Sequence, residues 1–569
     1  MRRLLKEKHG EGFVDVCVLV LSVALVLALA LLPVSAFAAE FNAPGEYPIC
    51  KETVKLTVGI PDNIRIEDYE TNVMTQKLEE YGNFDLDFVI YDSTDYTTKI
   101  NLMMMAGGSE LPDVILFDVF AGTKLTDNQL YSWAQTGSII PLTQYYNDPS
   151  ISYWLHEAAE RTGVDFTKQI TSPDGEIYAI PIYNQSYGNE YPCKMYYYKP
   201  WLEKLGKEAP TTLDEYRDLL KAVVSTDLNG NGKADEVGLA GTGFNDKYYN
   251  GWFEALMNCF VYAGDSDYFT VNDGVVGAAY TTEEWKEGLK YIRDMIKDGL
   301  IATESLTMDR NQLDTLANVT ETALFSAVNY SMVMITMDNP ARDEYTYLLP
   351  LIGPHGYSSA TFEQSVANPA FVVSANCKEP EAAFRLGDLM TTEYISIMQR
   401  YGAEGVDWDY VQNSKVDMSN YVPYVDGFDL SIIAYDDENF GGGTSVTNSC
   451  WRQMGPYVRQ YAIANGKAIN KDTVTGFMTA IGQASMAYQK NNTRPAEVIP
   501  KLVYDTAESE QISEILVTLT SYVEEMTSNF LAGNVDIDAG WDSFQSELKA
   551  IGVDTVLSVV QQVYDRMYK

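Results

Sequence analysis

Residues Tyr96–Asp118 read YTTKINLMMMAGGSELPDVILFD. Tyr96–Ala106 suits a helix, and Gly107-Gly108 ends it, because glycine takes the left-handed backbone that closes a helix. Val114–Phe117 is a short apolar run between turn residues, the mark of a buried strand. The stretch ends at Asp118, just past that strand's carboxyl end, where ligands of open α/β sheets collect. On the amino-terminal side, Val54–Ile60 (VKLTVGI) alternates as a strand does, residues 68–81 suit a helix, and Leu86–Tyr91 reads as a second strand. Strand and helix alternate throughout, which predicts an α/β fold with a largely parallel sheet.

Further along, Ile177–Ile182 and Met195–Tyr198 read as strands flanking a polar, aromatic stretch, YNQSYGNEYPCK, a candidate crossing between domains. Thr212 stands three residues before Glu215, the capping-box spacing, and Leu213, Tyr216, Leu219, Leu220 and Val223 give the following helix an apolar face. Thr281 and Glu284 repeat that spacing before a second amphipathic helix. Ala323–Val328, Ser331–Ile335, Tyr345–Leu351 and Ala370–Ser374 look like short β or buried segments. Pro380–Met390 reads as helix, and from about Thr473 the chain is mostly amphipathic helix.

The loop after the helix at 213 offers Asp227, Asn229, Asn231, Gly232, Lys233, Asp235 and Glu236. Oxygen-bearing side chains alternate, with glycine at the sixth place, as in the first half of an EF-hand loop. A full EF-hand needs a bidentate Glu at the twelfth place, which here is Gly238. A solvated Asn/Gly turn is the plainer alternative.

The chain has 569 residues, which calls for at least two domains, and 80 Asp+Glu against 40 Lys+Arg give a formal charge of −40. Such a surface is repelled by phosphate backbones and argues against nucleic-acid binding. Only three histidines occur, so a His-based triad or zinc cage has little material. None of the six cysteines forms a Cys-x-x-Cys pair. Arg2, Arg3, Lys6 and Lys8 precede an apolar run, Val16–Val34, and Ala36-Phe37-Ala38 supplies a signal-peptidase pattern. Residues 1–38 are therefore expected as a signal peptide cleaved after Ala38, or else an uncleaved anchor, followed by a lead-in over 39–52. Export to the cell surface or medium is expected in either case.

Several stretches in consistent order resemble the extracellular solute-binding proteins of carbohydrate ABC importers, in the branch that includes alginate- and oligosaccharide-binding members. They are FNAPGEYPICKETVKLTVG, the Tyr96–Asp118 stretch, YYYKPWLEKLGKEAPTTLDEYRDLL with the loop after it, TTEEWKEGLKYIRDMIKDGLI, YGAEGVDWDY, and FLAGNVDIDAGWDSFQSELKAIG with the residues after it. The chain departs from members that carry a lipobox cysteine at the leader's end, since that place reads AFAA. The resemblance implies a two-lobed periplasmic-binding-protein-like fold with a hinge and an interlobe ligand cleft. Lobe one is expected over 53–185 and 340–398, and lobe two over 190–335 and 400–569. It also implies a monomer that delivers an oligosaccharide or other small carbohydrate to ABC permease subunits and performs no chemistry on it. Structural calcium is implied, held by Asp227, Asn229, Asn231, Lys233 through its carbonyl, Asp235 and Glu236.

A pyranose has an apolar face and a hydroxylated rim, so sugar sites pair aromatic platforms with polar groups. Tyr187, Trp252, Tyr330 and Trp451 are the candidate platforms; Asp118, Asn329, Glu404 and Arg452 are the candidate polar partners. For any one of these aromatics, core packing is the competing role. An exported glycoside hydrolase with paired carboxylates and a surface adhesin on the same fold remain alternatives. There is no Gly-x-x-x-x-Gly-Lys-Ser/Thr loop, and Gly441–Gly443 lacks a following Lys-Ser/Thr.

Overall fold

The computed structural model describes residues 39–119, 123–244, 251–319, 324–330, 335–336, 339–435, 446–470 and 476–569. The leader expected over 1–38, the Gly441–Gly443 triplet and most of Ser331–Ile335 lie outside the described residues. Met1–Phe41 forms one unit and Asn42–Lys569 another, and the sheets and the core belong to the second.

The strands in chain order begin with β1 (Val54–Pro61), β2 (Phe84–Tyr91), β3 (Val114–Leu116), β4 (Ile180–Asn184), β5 (Lys194–Tyr198) and β6 (Val237–Leu239). Then come β7 (Phe269–Asn272), β8 (Val275–Ala278), β9 (Leu324–Asn329), β10 (Tyr345–Leu348) and β11 (Asn368–Val373). The last are β12 (Trp408–Tyr410), β13 (Tyr421–Pro423), β14 (Ile432–Ala434), β15 (Tyr457–Arg459) and β16 (Ala468–Asn470).

The largest sheet has six strands in the order β15-β4-β11-β3-β1-β2. β1 pairs in parallel with β2 and β3, β15 pairs in parallel with β4, and only β11 runs against its neighbours. The parallel α/β pattern read from Tyr96–Asp118 and its flanks is the observed one. A second sheet, β10-β5-β9-β6, has four strands, as does a third, β12-β14-β16-β13; β7 and β8 form a hairpin.

The chain passes between the first and second sheets in two long segments, 185–193 between β4 and β5 and 349–367 between β10 and β11. Two strands fall across the lobe boundaries expected from sequence. β10 pairs with β5 in the second sheet, and β15 pairs with β4 in the first. Short strands of three or four residues carry no sign of which sheet they join. That is set by partners far away in sequence.

Local signals explain the helix ends. The helix Val73–Gly82 starts later than residue 68, because Asp68 accepts hydrogen bonds from Thr71 N (2.7 Å) and Oγ1 (3.0 Å), and Asn72 then caps the first turn. Thr212 and Glu215 form the expected capping box on Leu213–Val224. On Glu283–Lys297 the cap is Thr282 rather than Thr281, its side chain accepting from Trp285 N. Thr281 instead ends a short 3-10 turn. The helix Pro380–Met390 has the predicted bounds. The carboxyl-terminal helices Thr506–Ala532, Ile537–Ile551 and Val553–Tyr568 pack with Leu213–Val224 and Glu283–Lys297 in one large core.

Candidate functional site

At the carboxyl ends of the first sheet, three segments converge: the end of β3, the turn 452–455, and β15. Gly455 N donates to Phe117 O (2.9 Å), which sets the turn beside Asp118. Thr123 Oγ1 donates to Asp118 Oδ1 (2.5 Å). Arg452 and Gln453 hold φ of 49° and 71°, a left-handed backbone that costs a non-glycine residue about 1 kcal/mol or more and is concentrated at functional sites. Gln399 pins this turn: Gln453 N donates to Gln399 O (3.0 Å), and Gln399 Nε2 donates to Met454 O (2.5 Å).

The strained turn presents Gln453 Oε1 to two guanidinium groups, Arg459 Nη2 at 2.6 Å and Arg400 Nη1 at 3.2 Å. The cations on this wall lie against rings. Arg459 stands 4.4 Å from the Tyr457 ring centroid and Arg400 5.3 Å from that of Tyr401. Lys467 Nζ lies 5.2 Å from the Tyr424 ring and 6.0 Å from the Tyr401 ring. Arg459 and Lys467 are almost wholly buried, and Arg459 Nε has no hydrogen-bond partner. Burial holds the Arg459 guanidinium below its ordinary pKa range. Ring faces soften the cost of burying these charges, since a cation is attracted to the negative face of the ring.

From the second sheet comes Tyr330, half-buried, immediately after β9. Its hydroxyl donates to Asn189 Oδ1 (3.3 Å), and its backbone N–H to Asn329 Oδ1 (2.6 Å). Gly188 makes this arrangement possible. A Cβ there would lie 2.9 Å from the Tyr330 hydroxyl and 3.5 Å from that of Tyr424, so glycine lets both hydroxyls reach the crossing segment. Tyr187 packs its ring on Tyr461 (4.7 Å) and Phe428 (5.9 Å), behind Tyr424. A wall of tyrosines therefore runs from the second sheet across the crossing segment to the first, bordered by Asn189, Lys467, Arg459, Gln453 and Asp118; Tyr330 and Tyr187 are half-buried in it, whereas Tyr401, Tyr424 and Tyr457 are buried. Flat rings with such donors suit a ligand that has an apolar face and a hydroxylated edge. A concavity of about 420 Å³ opens beside the same crossing; Tyr183, Gln185, Glu190, Phe362, Tyr461 and Arg494 are among its lining residues. There Glu190 accepts from Tyr461 Oη (2.6 Å) and Ser365 Oγ (3.0 Å), and burial raises its pKa.

The structure brings Asp118, Tyr187, Tyr330 and Arg452 into or next to this wall. It assigns others elsewhere. Trp252 and Trp451, expected as platforms, are each 1% exposed and belong to the core. Trp252 Nε1 donates to Thr242 O, and Trp451 Nε1 donates to Thr75 Oγ1 with its ring between Tyr69 and Phe88. Asn329 is fully buried, with its Nδ2 unpartnered, and acts on Tyr330 through the backbone. Glu404 lies in the turn leading to β12, where its backbone bridges to Trp408. The sequence reading missed Tyr401, Tyr424, Tyr457, Arg459 and Lys467. The pair Tyr457-x-Arg459 carries a local trace of them, because i,i+2 side chains of a strand share a face.

The acidic loop wraps inward on itself. Asp227 Oδ1 accepts from Gly230 N (2.7 Å) and its Oδ2 from Gly232 N (2.9 Å). Asn229 Oδ1 accepts from Asn231 N and Asn231 Oδ1 from Lys233 N, both at 2.9 Å. Gly230 and Gly232 both take positive φ, which the repeated turns require. Glu236 is buried; Oε1 accepts from Asn229 N (2.8 Å), whereas Oε2 has no partner. Among the described residues no three His, Cys, Asp or Glu side chains converge as a metal group. A cation here would draw on amide and carbonyl oxygens as well as carboxylates, which is the hard-oxygen set calcium takes and zinc does not. An orphaned buried carboxylate oxygen inside an oxygen-lined turn fits such an ion.

The fold is that of a two-lobed solute-binding protein. Residues 73–398 match the family of bacterial extracellular solute-binding proteins, and the chain belongs to that family. It is 25% identical over 532 residues to the fructooligosaccharide ABC transporter substrate-binding protein FusA of Streptococcus pneumoniae, covering 91% of this chain and 90% of that one. It is 22% identical over 368 residues to the lipoprotein LipO of Bacillus subtilis, 63% of this chain and 68% of that one. An HMO-binding ABC-transporter-associated solute-binding protein from Bifidobacterium longum infantis shares the fold with a TM-score of 0.72 at 20% identity, over 91% of this chain and 99% of that one. FusA in complex with kestose gives a TM-score of 0.66 at 22% identity, over 90% and 99%.

Proposed function

We propose that this chain is the ligand-binding component of a carbohydrate ABC importer. It takes an oligosaccharide between a lobe built on the first sheet and a lobe built on the second, and hands it unchanged to a membrane permease. The observation that carries this is the wall of Tyr330, Tyr424, Tyr401 and Tyr457, rimmed by Asn189, Lys467, Arg459 and Gln453, which spans both sheets. Full-length similarity to a fructooligosaccharide-binding relative supports the choice of ligand class. The lobe boundaries follow the sheets: 53–185 with 368–398 and β15 in lobe one, and 190–348 with most of 400–569 in lobe two. Segments 185–193 and 349–367 act as the hinge, whose few residues absorb the backbone change on closure.

The acidic loop holds calcium through Asp227, Asn229, Asn231, the Lys233 carbonyl, Asp235 and Glu236, and the ion stiffens lobe two. A FusA structure described as an EF-hand mutant supports a metal loop in this family. The protein is exported by its leader over 1–38 and works as a monomer; among the described residues no helix is long and apolar enough to cross a membrane.

A thermal-shift screen of mono- and oligosaccharides tests the ligand class. Stabilisation by an oligosaccharide that is recovered intact supports the importer role. Release of reducing sugar, abolished by one Glu→Gln change, would replace it with a hydrolase.

A further inference from the structure

Lys194, the first residue of β5, has no exposed surface. It lies opposite Asn329 in the β5–β9 pair, directly before Tyr330. Its Nζ donates to Gly188 O (3.2 Å), Tyr191 O (2.5 Å) and Tyr330 O (3.3 Å), and sits 4.6 Å from the centroid of the Tyr330 ring. Among the described residues it has no ion-pair partner. An ammonium has three N–H donors and here meets three carbonyls and a ring face, so the site is shaped for the charged form. A neutral amine has only two donors. Two of the carbonyls belong to the crossing segment and the third to the cleft residue that follows β9. One side chain thus joins the hinge to the ring that faces the ligand.

We propose that Lys194 is the positioning residue of the ligand wall: its ammonium fixes Tyr330 against the crossing segment and so makes ligand affinity depend on one proton. The pKa is consistent with this, since burial pushes the ammonium down to about 7. The groups that face it are few. Cys193, just before it in the chain, has its thiol pushed well up by burial and by Glu254 from the helix Gly251–Met257, so it stays neutral. Tyr330, Tyr191, Tyr196, whose hydroxyl donates to Tyr330 O (3.4 Å), and Tyr488, whose hydroxyl accepts from Met195 N, are the other titratable neighbours. Burial raises Tyr191, Tyr196 and Tyr488 above the ordinary tyrosine range. As pH rises through about 7, the ammonium loses one donor and its attraction to the ring, and Tyr330 loosens.

The proposal rests on the proposed reading of Tyr330 as part of the ligand wall, and on the carbohydrate reading for its binding probe, kestose. Calorimetry from about pH 6 to about 9 is run on the wild type and on Lys194→Met. In parallel, the tyrosine rings are labelled with 13C and followed without sugar, with Tyr330→Phe assigning the Tyr330 signal. The wild type is expected to lose roughly tenfold in affinity across the range, about the value of one charged hydrogen bond. Lys194→Met is expected to bind weakly with no pH slope, and the Tyr330 signal to titrate near neutrality. Equal slopes in both proteins, or a Tyr330 signal flat over the range, would overturn the proposal. If Lys194→Met does not fold, the wild-type Tyr330 signal decides alone. Absence of kestose heat at every pH counts against that ligand, and the Tyr330 titration then still supports or refutes the positioning role.

Discussion

Trp451 and Tyr330 show how differently two aromatics that look alike in the sequence are used. Trp451 is 1% exposed and wedged against Tyr69 and Phe88, so Trp451→Ala leaves a cavity. It is expected to cost about 3–5 kcal/mol of stability in denaturant unfolding. Tyr330→Ala, at a half-buried position, is expected to cost far less stability but to weaken sugar binding about tenfold or more by calorimetry. The reverse pattern would move the ligand away from this wall. Asp388 offers a separate test. It is buried, accepts from Trp154 N (3.1 Å) and Leu155 N (2.7 Å), and burial pushes its pKa up to about 7. The folded state therefore holds the protonated form, and its share of stability is full below about pH 4, the unfolded value. That share is lost as pH rises through about 7. Wild-type melting temperature should fall across this window relative to Asp388→Asn, whose side chain does not titrate there. Parallel pH profiles for the two proteins would remove Asp388 as the cause.

At the level of elements, the helix Leu213–Val224 and the loop after it are local structures. The Thr212–Glu215 box, the apolar face and the alternation of oxygens can all be read along the chain, because each depends on spacings of a few residues. The loop's prediction is equally local. Calcium removal by a chelator should lower the melting temperature, and Glu236→Gln, which neutralises the orphaned buried oxygen, should reduce that effect. Unchanged melting and no bound calcium by elemental analysis would leave the loop a solvated turn. Local signals misplace helix starts, as Val73 in place of residue 68 and the cap Thr282 in place of Thr281 show. A neighbouring 3-10 turn uses the first threonine for its own backbone.

For the whole molecule, the prediction is closure. If the two crossing segments are a hinge, oligosaccharide binding should shrink the radius of gyration by solution scattering, and stability should rise with ligand. At a hundredfold excess over Kd the rise is about 2.7 kcal/mol by mass action. Binding with no compaction would mean a preformed site without a hinge motion. The sequence by itself determined the alternation of strand and helix, the parallel first sheet, the capped helices and the metal-loop spacing. These come from periodicity and from hydrogen bonds closed within a few residues. Only the tertiary structure decided that β10 joins the second sheet and β15 the first, that Trp252 and Trp451 are core, and that Lys467 lies against the Tyr424 and Tyr401 rings. Each of those outcomes rests on pairing between residues far apart in the chain, and one residue's chemistry does not announce its distant partner.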